Sequence, residues 1–175
     1  MAEEKVILVD RLDNAVGLMD KMEAHKKAVL HRAFSVFIFN SRGELMLQQR
    51  AFGKYHSPGL WTNTCCSHPR EGETYMEAAH RRLQEEMGFD CDFKKAFDFI
   101  YKAGVGKGLT EHEFDHVLVG ESDKLPVINP EEVETWKYMN PEKILKDIRE
   151  NPDQYTVWFK IAFEELQKFK KIDNA

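Results

Sequence analysis

Between Tyr75 and Met87 the apolar residues fall at helical spacings, Met76, Ala79, Leu83 and Met87, with Gly88 following as a stop, while on either side the period changes to that of strands. A chain that switches period in this way stacks helices on a sheet. Upstream, Val6 to Val9 fits a short strand followed by a turn at Asp13 to Gly17. Phe34 to Phe39 (FSVFIF) and Glu44 to Gln48 (ELMLQ) flank the turn-rich NSRG and predict a β-hairpin. Downstream, strands are predicted at Phe97 to Lys102, Glu113 to Val119 and Val133 to Tyr138, then helices near Pro141 to Glu150 and Pro152 to Phe169. The expected class is α+β, a mixed β-sheet sandwiched by helices. No repeat, low-complexity segment or linker interrupts the pattern, so residues 1–175 are expected to form one domain.

With 175 residues, 42% of them hydrophobic, the chain is long enough to bury a sizeable core. A net charge of −5 argues against a nucleic-acid binder that works by bulk electrostatics. No apolar run approaches the roughly 20 residues of a membrane span, and MAEEKVILVD opens with acid and a strand pattern instead of a basic-then-apolar signal region. These features predict a cytoplasmic protein with neither a nucleic-acid nor a membrane partner. Three cysteines, two of them adjacent, make a poor disulfide framework and suit a reducing compartment. Cys65 and Cys91 read as packing residues, and nothing demands more than a monomer or a weak homodimer.

Two pairs carry the chemistry. Cys66 stands two residues before His68, and Glu111 two before Glu113. In an extended segment i, i+2 side chains share a face, so each pair points one way. Either pair alone has a bland reading, since a thiol is usually a small core residue and neighbouring glutamates usually a solvated face.

Aligned on Gly88, SHPREGETYMEAAHRRLQEEMGF resembles the Nudix box, G-x5-E-x7-R-E-U-x-E-E-x-G-U, with Glu73, Arg81, Leu83, Glu85, Glu86, Gly88 and Phe89 in place and the box helix near residues 73–87. Ser67 replaces the first glycine and Arg82 the first glutamate of the REUxEE core. In hydrolases of that family clustered carboxylates hold metal over a diphosphate, so a cation at Arg82 weakens that cluster. Adding AHKKAVLHRAFS, GLWTNTCCSHP, YKA, EHEFDH and the tryptophan of YTVWF, the chain resembles the type 1 isopentenyl-diphosphate isomerases from Leu8 to about Phe163. The resemblance implies a Nudix-like fold and an isomerase of isoprenoid biosynthesis that interconverts isopentenyl and dimethylallyl diphosphates.

Moving an unactivated double bond needs an acid to protonate carbon, tolerance of a tertiary carbocation, and a base for a different proton. The resemblance implies Cys66 and Glu113 as the acid/base pair, Tyr101 as the hydrogen-bonding partner of Glu113, and Trp158 as an indole face for the cation. Taken by itself, Tyr101 reads equally well as a strand aromatic with its hydroxyl in water. The resemblance further implies one internal divalent metal on His25, His31, His68, Glu111 and Glu113; that mixed nitrogen and oxygen set, without thiolate, suits Mn²⁺, Mg²⁺ or Zn²⁺. A small prenyl diphosphate would be bound by Lys21, Arg50, Lys54 and Arg82, with Mg²⁺ on its phosphate oxygens held by Glu86. His56, His80, His112 and His116 receive no role, the last two falling on the strand face opposite Glu111 and Glu113. Two other readings compete: a nucleoside-diphosphate Nudix hydrolase, which Arg82 disfavours and which leaves Cys66 unexplained, and a metal-stabilised binding module without turnover.

Overall fold

The structure, a computed structural model, describes residues 4–173. Residues 1–3 of the acidic opening stretch and residues 174–175 lie outside the described residues. Strand β1 (Lys5–Val9) pairs antiparallel with β2 (Ala15–Asp20), and helix α1 (Lys21–Lys27) follows at once, its first turn capped by Asp20, whose side chain accepts from the Glu23 amide. The expected turn at Asp13 to Gly17 is displaced. Asp10 and Asn14 close the turn, with the Asp10 carboxylate accepting from the Leu12 and Asn14 amides, and residues from Ala15 onward are strand.

Strand β3 (His31–Phe39) is the spine. One edge pairs in parallel with the later strand β8 (Leu109–Glu121), from His31 opposite Glu113 to Phe39 opposite Glu121. Its other edge meets three partners in turn: β1 at Leu8, β6 (Cys65–Ser67) with Cys66 opposite Ser35, and β4 (Leu45–Arg50) at Leu45. The NSRG turn forms, with the Asn40 side chain accepting from the Arg42 and Glu44 amides and Gly43 at φ 76°. The hairpin nevertheless opens after the Phe39–Leu45 pair, because β6 occupies the edge of β3 that β4 would have taken. Strand β4 pairs instead with β5 (Trp61–Thr62) and with β9 (Val133–Met139). Strand β7 (Phe93–Gly106) completes the sheet as the antiparallel partner of β8.

Helix α2 (Tyr75–Met87) keeps its expected limits because both ends are chemically marked. Thr74 and Glu77 form a capping box, and Gly88 takes the left-handed conformation. An added Cβ at Gly88 would meet the Val127 carbonyl oxygen at 2.1 Å, so the stop is also a close approach. Leu83, Met87 and Ala79 of α2 pack on Phe34, Val36 and Ile38 of β3. The opposite face, through Phe37, Phe39 and Val117, packs on α3 (Pro141–Glu150) and α4 (Val157–Asp173). The sheet is thus sandwiched as the sequence predicts. The last helix starts later than Pro152: Pro152–Gln154 is one 3₁₀ turn, Tyr155 is extended and bridges Trp61, and Thr156 Oγ1 then accepts from the Phe159 amide as the helix begins. Among the described residues no helix is long and apolar enough to cross a membrane.

Candidate active site

The parallel register puts His31 level with Glu113, and the strand alternation puts Glu111 on the same face. His25 arrives from α1. His25, His31, His68 and Glu111 bring ligand atoms within 4.8 Å of one another, His68 half-buried and the other three buried. Backbone carbonyls fix two of the rings: His25 Nδ1 lies 2.6 Å from the Lys21 oxygen and His31 Nδ1 2.8 Å from the Val29 oxygen. With Nδ1–H donating to a carbonyl, each Nε2 is left to face the cluster. His25 Nε2 is 3.0 Å from Glu111 Oε1, and His68 Nε2 is 2.7 Å from Glu113 Oε2. Glu113 also accepts from the buried Tyr101 hydroxyl, so the tyrosine is a partner of the carboxylate and not an aromatic with its hydroxyl in water.

These residues fit a divalent cation. His31 Nε2 and Glu111 Oε2 are buried without a hydrogen-bond partner, and both belong to the cluster. A buried carboxylate in such a place calls for positive charge. Burial, the largest single influence, would push the His25 imidazole down, but its hydrogen bond and charge attraction to Glu111, its bond to the Lys21 carbonyl and the charge of Glu113 together outweigh this and raise it above its ordinary value. Burial also opposes ionisation of Glu111, yet its bonds to His25 and His56 hold it well below the usual carboxylate range.

Beside this cluster opens a cleft of about 530 Å³, mouth included, lined by Cys66, His68, Tyr101, Glu113, Trp158 and the cations Lys21, Arg50, Lys54 and Arg82. Burial first, then the carboxylate of Glu86, pushes the Cys66 thiol up to about 12, so it carries its proton at neutral pH. Trp158 Nε1–H donates to Cys66 Sγ at 3.1 Å. The indole already meets one cation: the Arg50 guanidinium carbon lies 5.1 Å from a Trp158 ring centroid. Arg50 also donates to the His56 and Ser57 carbonyls. Arg82 reaches Glu86 Oε2 at 3.2 Å and Glu132 Oε2 at 3.5 Å, and Lys54 Nζ reaches the same Glu132 oxygen at 2.6 Å. Glu86 lies buried, accepting from the Cys65 thiol at 3.2 Å and from Gln48.

The NUDIX domain family matches residues 29–159. A protein named isopentenyl-diphosphate Delta-isomerase 2 from Aromatoleum aromaticum is 50% identical over 173 residues, covering 99% of this chain and 92% of that one. The chain belongs to the isopentenyl-diphosphate isomerase family of Nudix-fold proteins. A second family relative, isopentenyl-diphosphate Delta-isomerase of Serratia proteamaculans, is 50% identical over 164 residues, 94% of this chain and 92% of that protein. Among solved structures, one from Deinococcus radiodurans superposes with a TM-score of 0.78 at 22% identity over 93% of this chain and 98% of its own. The MutT protein of Methanosarcina mazei gives 0.67 at 18% identity over 83% and 96%. At those identities the likeness is one of fold.

For this member of the isomerase family, the cleft lining includes Tyr55, His56 and Glu132, which sequence reasoning leaves without a role. His56, which receives no role from the sequence, is buried, with Nε2 3.4 Å from Glu111 Oε1. Its one signal in the sequence is position, two residues after Lys54. His112 and His116 do lie on the other side of β8, where His112 faces the Ala28 carbonyl and His116 meets Asp13 and stacks on Tyr75.

Proposed function

We propose that the chain, acting over residues 1–175 as one unit, interconverts isopentenyl and dimethylallyl diphosphates, with Cys66 and Glu113 exchanging protons with the two ends of the shifting double bond. One carbon gains a proton, a tertiary carbocation forms at its neighbour, and a different carbon gives a proton back, so the substrate is neither oxidised nor hydrolysed. The observation that carries this reading is the shared cleft: a neutral thiol, Cys66, opens into the same cavity as Glu113, whose oxygens are held by Tyr101 and His68. Each such proton transfer contributes on the order of 10²- to 10⁴-fold in rate. Trp158 orients the thiol through its N–H and offers an indole face to the cation, a contact worth roughly 0.5 to 2 kcal/mol.

Lys21, Arg50, Lys54 and Arg82 bind the diphosphate, concentrating positive charge locally in a protein whose net charge is −5. Arg82 and Lys54 are held by Glu132, so phosphate oxygens would take a place among existing charge-assisted bonds. His25, His31, His68, Glu111 and Glu113 would hold one divalent ion (Mn²⁺, Mg²⁺ or Zn²⁺), and Glu86 a Mg²⁺ that arrives with the substrate. The internal ion, when bound, supplies positive charge that keeps the carboxylates ionised in a buried place. Three free cysteines support a reducing compartment such as the cytoplasm.

The test is proton NMR of isopentenyl diphosphate with protein and Mg²⁺ in D₂O. Dimethylallyl resonances with incorporated deuterium are expected. Phosphate release from nucleoside diphosphate derivatives, with no change in isopentenyl diphosphate, would replace this reading with the hydrolase.

A further inference from the structure

We propose that His56 is a positioning residue for the reaction, orienting Glu111 toward the metal site and bracing Trp158 against Cys66; this rests on reading the His25, His31, His68 and Glu111 cluster as that site. A histidine on a loop between two strands is ordinarily in water, yet His56 is 4% exposed. The loop is tied down on both sides: the Gly59 amide donates to the Arg50 carbonyl at 3.1 Å, and Arg50 Nη2 donates to the His56 carbonyl at 3.1 Å. Its ring therefore points inward by construction.

Both ring nitrogens have a partner. Nδ1 lies 3.2 Å from Ser57 Oγ, and Nε2 lies 3.4 Å from Glu111 Oε1. A hydroxyl can donate to Nδ1, which leaves the Nε2 proton facing the carboxylate. Glu111 Oε1 then lies between His25 and His56, while Oε2 is the oxygen without a protein partner, free for the centre of the cluster. Fixing one oxygen of a carboxylate so that the other is presented is what outer contacts of a metal ligand do. His56 meets Glu111 through Oε1, the oxygen that His25 also holds, and not through the unpartnered Oε2, so its part is to orient and not to ligate.

The same ring has a second contact. Its centroid is 5.4 Å from that of Trp158, the planes at 88°, an edge-on packing that buttresses the indole whose N–H reaches Cys66. One imidazole thereby touches both the metal-facing carboxylate and the wall beside the thiol. It does so from the loop that follows Arg50 and carries Lys54, which links the diphosphate-facing cations to the metal site.

Two substitutions separate the contacts. His56→Phe keeps the ring edge on Trp158 and removes the donor; His56→Gln keeps a donor and removes the ring. In the full-length protein, Mn²⁺ affinity would be read by chelator competition and electron paramagnetic resonance without substrate, and folding by the melting temperature in EDTA. The expected result is a loss of about 10- to 100-fold in Mn²⁺ affinity for His56→Phe at an unchanged metal-free melting temperature. His56→Gln should restore most of that affinity while lowering kcat more than KM. Ser57→Ala, which leaves the buried ring in place, should weaken Mn²⁺ by about 2- to 10-fold by releasing the tautomer. Wild-type affinity in both His56→Phe and Ser57→Ala, or equal losses in His56→Phe and His56→Gln, would overturn the inference with the metal site intact. A wild type that binds no Mn²⁺ would overturn the metal-site reading and this inference with it.

Discussion

Cys65 and Cys66 are the same residue one peptide apart, yet the sheet sends them into different chemistries. Cys65 is fully buried in the core under α2, and its thiol donates to Glu86. Cys66 opens into the cleft and accepts from Trp158. Strand β8 repeats the division: Glu111 and Glu113 face the histidine cluster, while His112 and His116 on the reverse side meet Ala28 and Asp13. Cys65 is fully buried and Cys66 half-buried, and their company differs: Cys66, Glu111 and Glu113 face the cleft and the histidine cluster, whereas Cys65 packs under α2 and His112 and His116 each meet a single carbonyl or carboxylate, so a side chain's role follows from its parity along the strand.

That contrast breaks first at Glu113. Glu113→Gln keeps the shape and a hydrogen-bonding oxygen for Tyr101 but removes the ionisable carboxylate, and isomerisation should fall by about 10²- to 10⁴-fold in a steady-state assay, with the melting curve preserved. On the packing face the sign of the experiment reverses. Leu83→Ala should cost about 2 to 5 kcal/mol in denaturant unfolding, while kcat measured well below the new melting temperature stays near the wild-type value. Trp158→Phe is intermediate. It removes the N–H donor to Cys66 and weakens the ring's quadrupole, so kcat should fall by about tenfold, equivalent to 1.4 kcal/mol. Trp158→Leu should fall further.

The smallest effect is expected from His116, whose burial holds the imidazole down to about 4 although Asp13 pulls it the other way. Between that value and the ordinary histidine range the unfolded chain binds the proton that the folded chain refuses. Unfolding free energy should therefore rise with pH through this window and be lost on acidification. His116→Phe, retaining the stack on Tyr75, should flatten that slope in urea titrations from about pH 4 to 6.5 without touching turnover. A mutant that lost activity would place His116 on the wrong side of the division.

Much of this was legible in the sequence because it rests on local chemistry. Helix α2 announces itself by its spacing and by Gly88, and the Cys66/His68 and Glu111/Glu113 pairs by strand alternation. Strand β2 was missed because its residues are largely exposed and carry no alternation, and α1 because seven mostly polar residues, KMEAHKK, give too little period. The opening of the β3–β4 hairpin depends on β6, a contact across some thirty residues of chain that no local pattern records. His56 was illegible for a related reason. Its loop, AFGKYHSPG, has no period, and its burial comes from α4 and β8, elements far along the chain.

The most direct test of the division is Cys65→Ala set beside Cys66→Ala, each followed by NMR conversion of isopentenyl diphosphate in D₂O at matched folded fraction. Cys65→Ala should convert substrate at close to the wild-type rate after a modest loss of stability, and Cys66→Ala should be slower by at least about 10²-fold with its fold intact. Turnover retained in Cys66→Ala and lost in Cys65→Ala would contradict the assignment of faces on which the whole account of the site depends.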